Sequence, residues 1–247
     1  MITKLTSSEL AKIGERQRAS YLVPQAGYTL GIAAADGAAL AGLLPAGFLD
    51  EVTRVRDEVD KARQDKTIMA VEAKQATGSQ QTLLRQVKVW RRQAATRAQR
   101  ALLAGASVPA ALAQMGRSQA VPAVLEETSI ALALLTEHAA ALDAVGPATQ
   151  PLIDAGNGLY QSLDQADSTQ EQARARDLPV AVAAFYAKKG EFYIGLKIIN
   201  EAGHELYAND AQAAARYNLS ILYRRHSAAE PAPAPTASTP TASASRA

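Results

Sequence analysis

The sequence predicts an all-α fold: an elongated antiparallel four-helix bundle built from two duplicated helical hairpins, with short accessory helices and a disordered C-terminal tail. Three observations predict it. Alanine accounts for 54 of the 247 residues, which favours helices and narrow core layers. Apolar residues recur at spacings of three and four over long stretches. One such stretch occurs twice, as an internal repeat.

The composition limits the functional classes. The chain has no cysteine, which excludes disulfide frameworks, thiolate metal sites and cysteine nucleophiles. Its formal net charge is +2, so there is no overall attraction to nucleic acid or to a membrane. The first residues lack the pattern of a secretory signal, and no stretch is apolar enough to span a membrane. We therefore expect a cytoplasmic protein without membrane partners.

Residues 1–25 predict an N-terminal accessory helix outside the repeat. Ser7 or Ser8 can cap its start. Pro24 is expected to end it, because a proline disfavours helical geometry at the residue before it. The duplicated bundle is predicted to follow over residues 26–227.

The internal repeat is the most specific pattern in the chain. Residues 37–46 align with residues 139–148, and five of the ten aligned positions carry the same amino acid. Each run is followed by two long helical patterns. Repeat 1 is therefore predicted over about 26–105 and repeat 2 over about 122–208.

In repeat 1, a short helix that reaches about Leu43 precedes two long helices. Pro45 suits the first turn of the first long helix. Residues 77–79, Thr-Gly-Ser, are expected to turn the chain, and the return helix stops near Gly105. The positions expected to face the bundle core are Phe48, Val52, Val55, Val59, Ala62, Lys66, Met69, Ala73, Ala76, Leu83, Val87, Trp90, Ala94, Ala98 and Ala101.

Repeat 2 has the same order of elements. A short helix is predicted from about Pro122 to Val145, Pro147 and Pro151 open the next helix, and Asp177 caps the last long helix. The positions expected to face the core are Leu152, Gly156, Leu159, Leu163, Ala166, Gln170, Ala173, Leu178, Val182, Phe185, Lys189, Phe192, Leu196, Ile199, Gly203 and Leu206. Gly156 is interpreted as a site of close helix approach.

Two segments follow the second repeat. A helix over residues 210–225, capped by Asp210, is expected to cover the last long helix. Residues 228–247 are Ala, Ser, Thr and Pro with one Glu and one Arg. They offer no side chain larger than proline to a core, so this tail is predicted to be disordered.

Three polar residues, Lys66, Gln170 and Lys189, interrupt the predicted core positions. They can be solvated, can form a polar layer that sets the helix register, or can include a buried lysine with a depressed pKa. The sequence leaves these alternatives open.

The sequence gives little support for a metal site or for an enzyme active site. A ferritin-like site needs inward Glu residues on four helices and two Glu-x-x-His pairs, whereas the chain has one such pair, Glu201 and His204. It also lacks nucleophile-elbow, phosphate-loop and dinucleotide motifs. We expect no enzyme activity, catalytic residue, cofactor or metal, and a ferritin-like bundle is the least supported alternative.

A basic stretch raises the possibility of polyanion binding. No acidic residue occurs between Glu72 and Glu126. Charge complementarity between helices explains this stretch best and a plain solvated surface comes next, so nucleic-acid binding is an alternative that is not favoured. The candidate polyanion-binding residues are Arg85, Lys88, Arg91, Arg92, Arg97 and Arg100.

The last long helix has a second apolar face, formed by Val180, Ile194 and Ile198. The C-terminal helix or a second copy of the protein could cover it. The sequence therefore predicts a non-catalytic helical scaffold or protein-interaction protein, with a protein partner or a homo-oligomer, and polyanion binding is the alternative.

Overall fold

The structure, a computed structural model, describes residues 2–116 and 118–224. These residues form helices and contain no strand, which confirms the all-α prediction for the described chain. The first helices are α1 (Ser7–Glu15), α2 (Ala19–Ala35), α3 (Gly37–Leu40) and α4 (Phe48–Leu103). The others are α5 (Ala110–Ala113), α6 (Val121–Glu137), α7 (Ala139–Asp143), α8 (Gln150–Gln172), α9 (Leu178–Leu206) and α10 (Ala211–Ala214).

α4 is a single helix of 56 residues, so the predicted hairpin turn at residues 77–79 is wrong. Gly78 is exposed, and its φ is not positive as a left-handed turn would require. An interior glycine costs a helix only about 1 kcal/mol relative to alanine. Ala76 and Gln80, two residues away on either side, are good helix formers, and the Thr77 hydroxyl donates to the carbonyl of Ala73 one turn earlier. The helix therefore continues through the glycine.

The second predicted hairpin is also wrong. A π-helical segment, Ala173–Asp177, joins α8 to α9 without a turn. Asp177 lies inside this continuous helix and its side chain caps nothing. A π turn adds one residue to a helix without ending it. The described residues thus form two long helices where the sequence predicted four.

The two long helices run antiparallel. Val52, near the start of α4, packs against Gly195, near the end of α9. Trp90, near the end of α4, packs against Gly156, near the start of α8. At 1.5 Å per residue, a helix of this length spans about 84 Å. The antiparallel pair is therefore elongated along the axis of α4.

Each end of the helix pair has its own core. At the first end, which we call the α2 end, the core includes Leu22, Leu40, Val55, Phe192 and Leu196. At the other, the α6 end, it includes Trp90, Leu112, Leu135, Leu142 and Ile153. Between them lies the waist, residues 63–82 and 164–184, where only Gln170 is buried. The two cores share no residue.

The two ends match in their spacing. α6 and α7 each begin 102 residues after α2 and α3. Near the start of the long helices, buried positions are 101 apart: Phe48, Val52 and Val55 match Thr149, Ile153 and Gly156. Near their ends, the separation is 102: Val87, Trp90, Ala94, Ala98 and Ala101 match Lys189, Phe192, Leu196, Asn200 and Gly203. The one-residue difference arises across the stretch that holds the π segment, which accommodates one extra residue.

The predicted end of the N-terminal helix at Pro24 is wrong. Pro24 lies inside α2, and the chain breaks earlier, at residues 16–18 between α1 and α2. Leu22 and Ala26, on either side of the proline, are almost completely buried. The free energy gained by burying these two side chains outweighs the loss of the one backbone hydrogen bond that a proline removes from a helix.

The predicted cover helix over residues 210–225 is wrong for the described residues. α10 ends at Ala214, and a 3₁₀ turn spans Ser220–Tyr223. Asp210 does cap α10, because its side chain accepts hydrogen bonds from two backbone amides. Tyr217 packs on Gly203 of α9. The predicted disordered tail, residues 228–247, lies outside the described residues.

Candidate interaction surfaces

Arg91, one of the six predicted polyanion-binding cations, is completely buried. Its Nη1 lies 2.8 Å from Oε2 of Glu127 on α6, and burial lowers the pKa of Arg91 against the opposing effect of Glu127. Burial alone would raise the pKa of Glu127. Hydrogen bonds from Ser118 and Gly116, together with the charge of Arg91, outweigh burial and lower that pKa. This ion pair fixes α6 to α4.

Arg97 also makes internal contacts. Its side chain is 10% exposed, and its Nη2 lies 3.8 Å from Oδ1 of Asp143. Its Nη1 donates to the carbonyl oxygen of Ala148, at 3.2 Å. Asp143 in turn accepts hydrogen bonds from the backbone and the hydroxyl of Thr149. Arg97 therefore ties α4 to the loop between α7 and α8.

The other four predicted cations lie nearer the surface. Arg85, Arg92 and Arg100 are exposed, and none of the three forms an ion pair with a described residue. Lys88 is half-buried, and its Nζ donates to Oε1 of Gln119 at 2.6 Å. The spacing of Arg85, Lys88 and Arg92 places them on one face of α4. The structure thus brings three of the six predicted residues together.

The predicted apolar face of the last long helix is divided. Val180 is 64% exposed and lies in the waist. Ile194 and Ile198 are half-buried and line a cavity with Leu43 and Leu44 near the end of α9. Between them, α1 packs across α9. The three residues therefore do not form one continuous surface.

α1 crosses α9 at a pair of glycines. A Cβ on Gly14 would overlap the carbonyl oxygen of Tyr186, and a Cβ on Gly190 would overlap that of Leu10. Two helix backbones can approach this closely only where neither carries a side chain. The two glycines thus allow the backbones of α1 and α9 to pack closely against each other.

The residues that lead into α1 lie over a groove between α4 and α9 that holds a cavity of about 290 Å³, and we call it the covered groove. Thr3, Leu5, Ser7 and Leu10 line it on one side, and Arg54, Ala187, Lys188 and Glu191 line it on the other. Lys188 bridges α4 and α9, with its Nζ 2.7 Å from Oε2 of Glu58 and 3.0 Å from Oε2 of Glu191. The charged side chains of α4 and α9 at the covered groove therefore pair with one another.

A second groove between the long helices lies at the α6 end, and we call it the open groove. Its volume is about 400 Å³, and its lining residues are Arg85, Gln86, Val89, Trp90 and Gln93 of α4 with Ala155 and Leu159 of α8. Val89 is 53% exposed. Trp90 forms the floor, and its Nε1 donates to the carbonyl oxygen of Leu152 at 2.8 Å.

The polar residues predicted among the core positions are not all solvated. Gln170 and Lys189 are buried, and Lys66 is half-buried. The Nζ atoms of Lys66 and Lys189 lie 4.6 and 5.1 Å from the ring centroid of Phe185. Burial lowers the pKa of Lys189, the charge of Lys66 lowers it further, and Glu15 opposes the shift. Contacts with the ring offset part of the cost of burying the charge.

No metal centre forms in the described part of the chain. Glu201 and His204 are both exposed, and no group of three or more potential His, Cys, Asp or Glu ligands occurs among the described residues. None of the described helices combines the length and the apolar character that crossing a bilayer requires.

Sequence reasoning identified one of the glycine contacts and missed another. Gly156, interpreted as a site of close helix approach, is buried, but the ring of Trp90 fills the space beside it rather than the backbone of another helix, since a Cβ there would overlap that ring. The crossing at Gly14 and Gly190 was missed. Its signal is a glycine inside a helical pattern, as at Gly156.

Comparison with models of known protein families gives no match, and neither curated proteins nor solved structures give one.

Proposed function

We propose that the protein is a non-catalytic helical scaffold that presents protein-binding surfaces at two separated ends. The observation that carries the proposal is the antiparallel pair of long helices, which joins two separate cores through a waist with one buried residue. Substrate sites are usually concave and enclosed, and a two-helix waist encloses nothing. An extended helix pair can instead hold two binding partners, one at each end, at a fixed distance from each other.

We also propose that the two ends derive from a duplicated unit. The offset of 102 residues between the short helices, and of 101 or 102 between the buried positions of the long helices, supports a common origin. The unit is one short helix followed by one long helix, in place of the hairpin that the sequence suggested. A duplicated unit provides two related surfaces, as a scaffold with two ends requires. A cytoplasmic location remains part of the proposal and is compatible with the lack of cysteine.

Site-specific photo-crosslinking in cells tests the scaffold proposal. A photoreactive amino acid would replace Ala39 at the α2 end, Ala140 at the α6 end, or Val71 in the waist, all of which are exposed. We expect adducts with other proteins from at least one end position and none from Val71. Adducts that form equally at all three positions, or at Val71 alone, would contradict a scaffold that binds through its ends.

Polyanion binding is the second proposal. It is supported by the exposed Arg85, Arg92 and Arg100, which have no ion pair with a described residue. It is weakened by the internal roles of Arg91 and Arg97. Three phosphate contacts would make the logarithm of the affinity for duplex DNA fall with a slope of about 3 against the logarithm of salt concentration. The absence of any mobility shift with DNA or RNA at low salt would reject it.

A further inference from the structure

The last turns of α4 and α9 correspond to each other in the repeat and lie at opposite ends of the helix pair. Arg100 and Leu103 of α4 lie 102 residues before Ala202 and Glu205 of α9. This is one of the two offsets that relate the buried positions of the long helices. The α6 end and the α2 end therefore present corresponding helix faces that carry different side chains.

The face on α9 holds an apolar cavity with charged residues at its edge, which we call the α9 cavity. Its volume is about 400 Å³. Its apolar lining consists of Leu43, Leu44, Ile194, Ile198 and Ala202. Lys197, Glu201 and Glu205 also line it and are exposed, and neither glutamate forms an ion pair with a described residue. The α9 cavity therefore suits an apolar side chain that has a cation beside it.

The corresponding face of α4 carries such a side chain. Leu103 is 84% exposed, more than any other large apolar side chain among the described residues. Arg100, one turn earlier, is exposed and has no ion pair with a described residue. Residues three positions apart lie on one side of a helix. The end of α4 thus offers a leucine and an arginine together.

A single copy cannot bring the two surfaces together. About 80 Å of helix separate the two ends of α4, and the α9 cavity lies beside its first turn, next to Leu44. Leu103 can therefore enter only the cavity of another copy. The open groove is a poor alternative, because Arg85, the one charged residue among those that line it, would repel Arg100.

The end of the chain is also a poor occupant of the α9 cavity. Residues 225–247 contain no Val, Leu, Ile, Met or aromatic residue. They therefore have no large apolar side chain to place in it, whereas Leu103 of a second copy has both the apolar character and the neighbouring cation.

We propose that copies of the protein join end to end, with Leu103 of one copy in the α9 cavity of the next and Arg100 against Glu201 and Glu205. This inference rests on the proposed scaffold function and names a second copy as one partner of its ends. A contact between two different surfaces repeats along a line of copies unless the line closes into a ring. Because one helix end makes the contact, it is smaller than a standard interface and should depend on concentration.

Sedimentation of the full-length protein at rising concentrations tests this growth. We expect the average mass to rise past that of a dimer. Added salt should reduce it, because salt screens the attraction between Arg100 and the two glutamates. A monomer at every concentration, or a mass that stops at the dimer, would overturn the proposal.

Two variants block the two sides of the contact separately. L103D removes the leucine and keeps the α9 cavity, whereas L43D places a charge in the cavity lining and keeps the leucine. Each alone should weaken assembly at least tenfold. A mixture of the two should form a dimer and nothing larger, because Leu103 of the L43D protein can still enter the cavity of the L103D protein.

V71D is the matched control, because Val71 is 50% exposed on α4 but lies in the waist. It should assemble as the unmodified protein does. Leu43, Val71 and Leu103 are all exposed, so circular dichroism should show unchanged helix content for the three variants. Equal weakening by V71D and L103D would overturn the proposal.

Reversal of the charges tests the ion pairs. R100E should weaken assembly, and R100E combined with E201K and E205K should restore part of it, because each contact again joins opposite charges. Unchanged assembly of R100E would contradict the pairing of Arg100 with Glu201 and Glu205.

Symmetric contacts give other results. Dimers of L103D alone would mean that two α9 cavities face each other, and dimers of L43D alone would mean that two leucine ends pair. Either result overturns the proposal. A monomer that still forms adducts with other proteins at Ala39 or Ala140 would reject only the contact between copies, whereas end-to-end assembly without such adducts would contradict only the scaffold function.

Discussion

Two glycines in α8 that lie two positions apart have opposite surroundings. A Cβ on Gly156 would overlap the indole of Trp90 and lie 2.8 Å from Cδ2 of Leu132. A Cβ on Gly158 would meet nothing within 4 Å. At the residue scale, the same amino acid therefore serves packing at one site and only weakens the helix at the other.

Gly156→Ala should destabilise the protein by about 1–3 kcal/mol, because the added methyl group overpacks the core. Gly158→Ala, its control, should stabilise the protein by about 0.5–1 kcal/mol, because alanine restricts the unfolded chain and favours the helix. Urea unfolding followed by circular dichroism measures both changes. Equal effects of the two substitutions would contradict the close contact between α8 and Trp90.

Lys189 carries a buried charge that the fold tolerates. Burial and the charge of Lys66 lower its pKa below the ordinary value of 10.5, and Glu15 opposes them. Below its folded-state pKa the lysine is charged in both states, and folding bears the full cost of burial. As the pH rises from that pKa towards 10.5, the unfolded chain binds more protons than the folded one, and the cost disappears.

Lys189→Met should therefore stabilise the protein by on the order of 1 kcal/mol near neutral pH. The gain should shrink as the pH approaches 10.5, and urea midpoints between pH 7 and pH 10.5 measure it. Lys188→Met is the neighbouring control. It should destabilise the protein, because Lys188 pairs with Glu58 and Glu191. If Lys189→Met stabilised the protein by the same amount at every pH in this range, burial of the Lys189 charge would not be the cause of the stabilisation.

At the scale of single elements, the sequence predicted helices well and their ends poorly. The periodicity of α4 was correct on both sides of residues 77–79, because spacings of three and four report the buried face directly. The turn there was wrong, since a glycine permits a turn but does not require one. Whether the chain folds back depends on what its two halves pack against, and Val52 and Trp90 pack on opposite ends of the second long helix.

Prediction of the candidate site residues has the same limit, because it also depends on which distant parts of the chain come together. Spacing alone placed Trp90 and Gly156 correctly at the helix interface. It could not separate Arg91 from Arg92, because their difference depends on Glu127, which approaches from a helix 30 residues further along. It also missed where α1 packs, because the contact between α1 and α9 joins residues about 176 apart in the chain. Surfaces formed by such distant contacts require the tertiary structure.

At the scale of the whole molecule, the decisive quantity is the length of α4. Lys61 and Thr96 are both exposed, lie on either side of Gly78 and are 35 residues apart. In a continuous helix their backbones are about 53 Å apart. In a hairpin that turns at residue 78 they would face each other at about the 8–10 Å separation of packed helices. The two arrangements differ several-fold in a distance that can be measured.

Spin labels on cysteines introduced at Lys61 and Thr96 should give one narrow distance distribution centred near the continuous-helix value. The chain has no cysteine of its own, so the labels attach only there. Gly78→Ala should leave the distribution unchanged, whereas Gly78→Pro should shorten and broaden it, because proline kinks a helix interior. A short distance in the unmodified protein would reject the continuous helix. It would also remove the fixed spacing between the two ends on which the scaffold proposal depends.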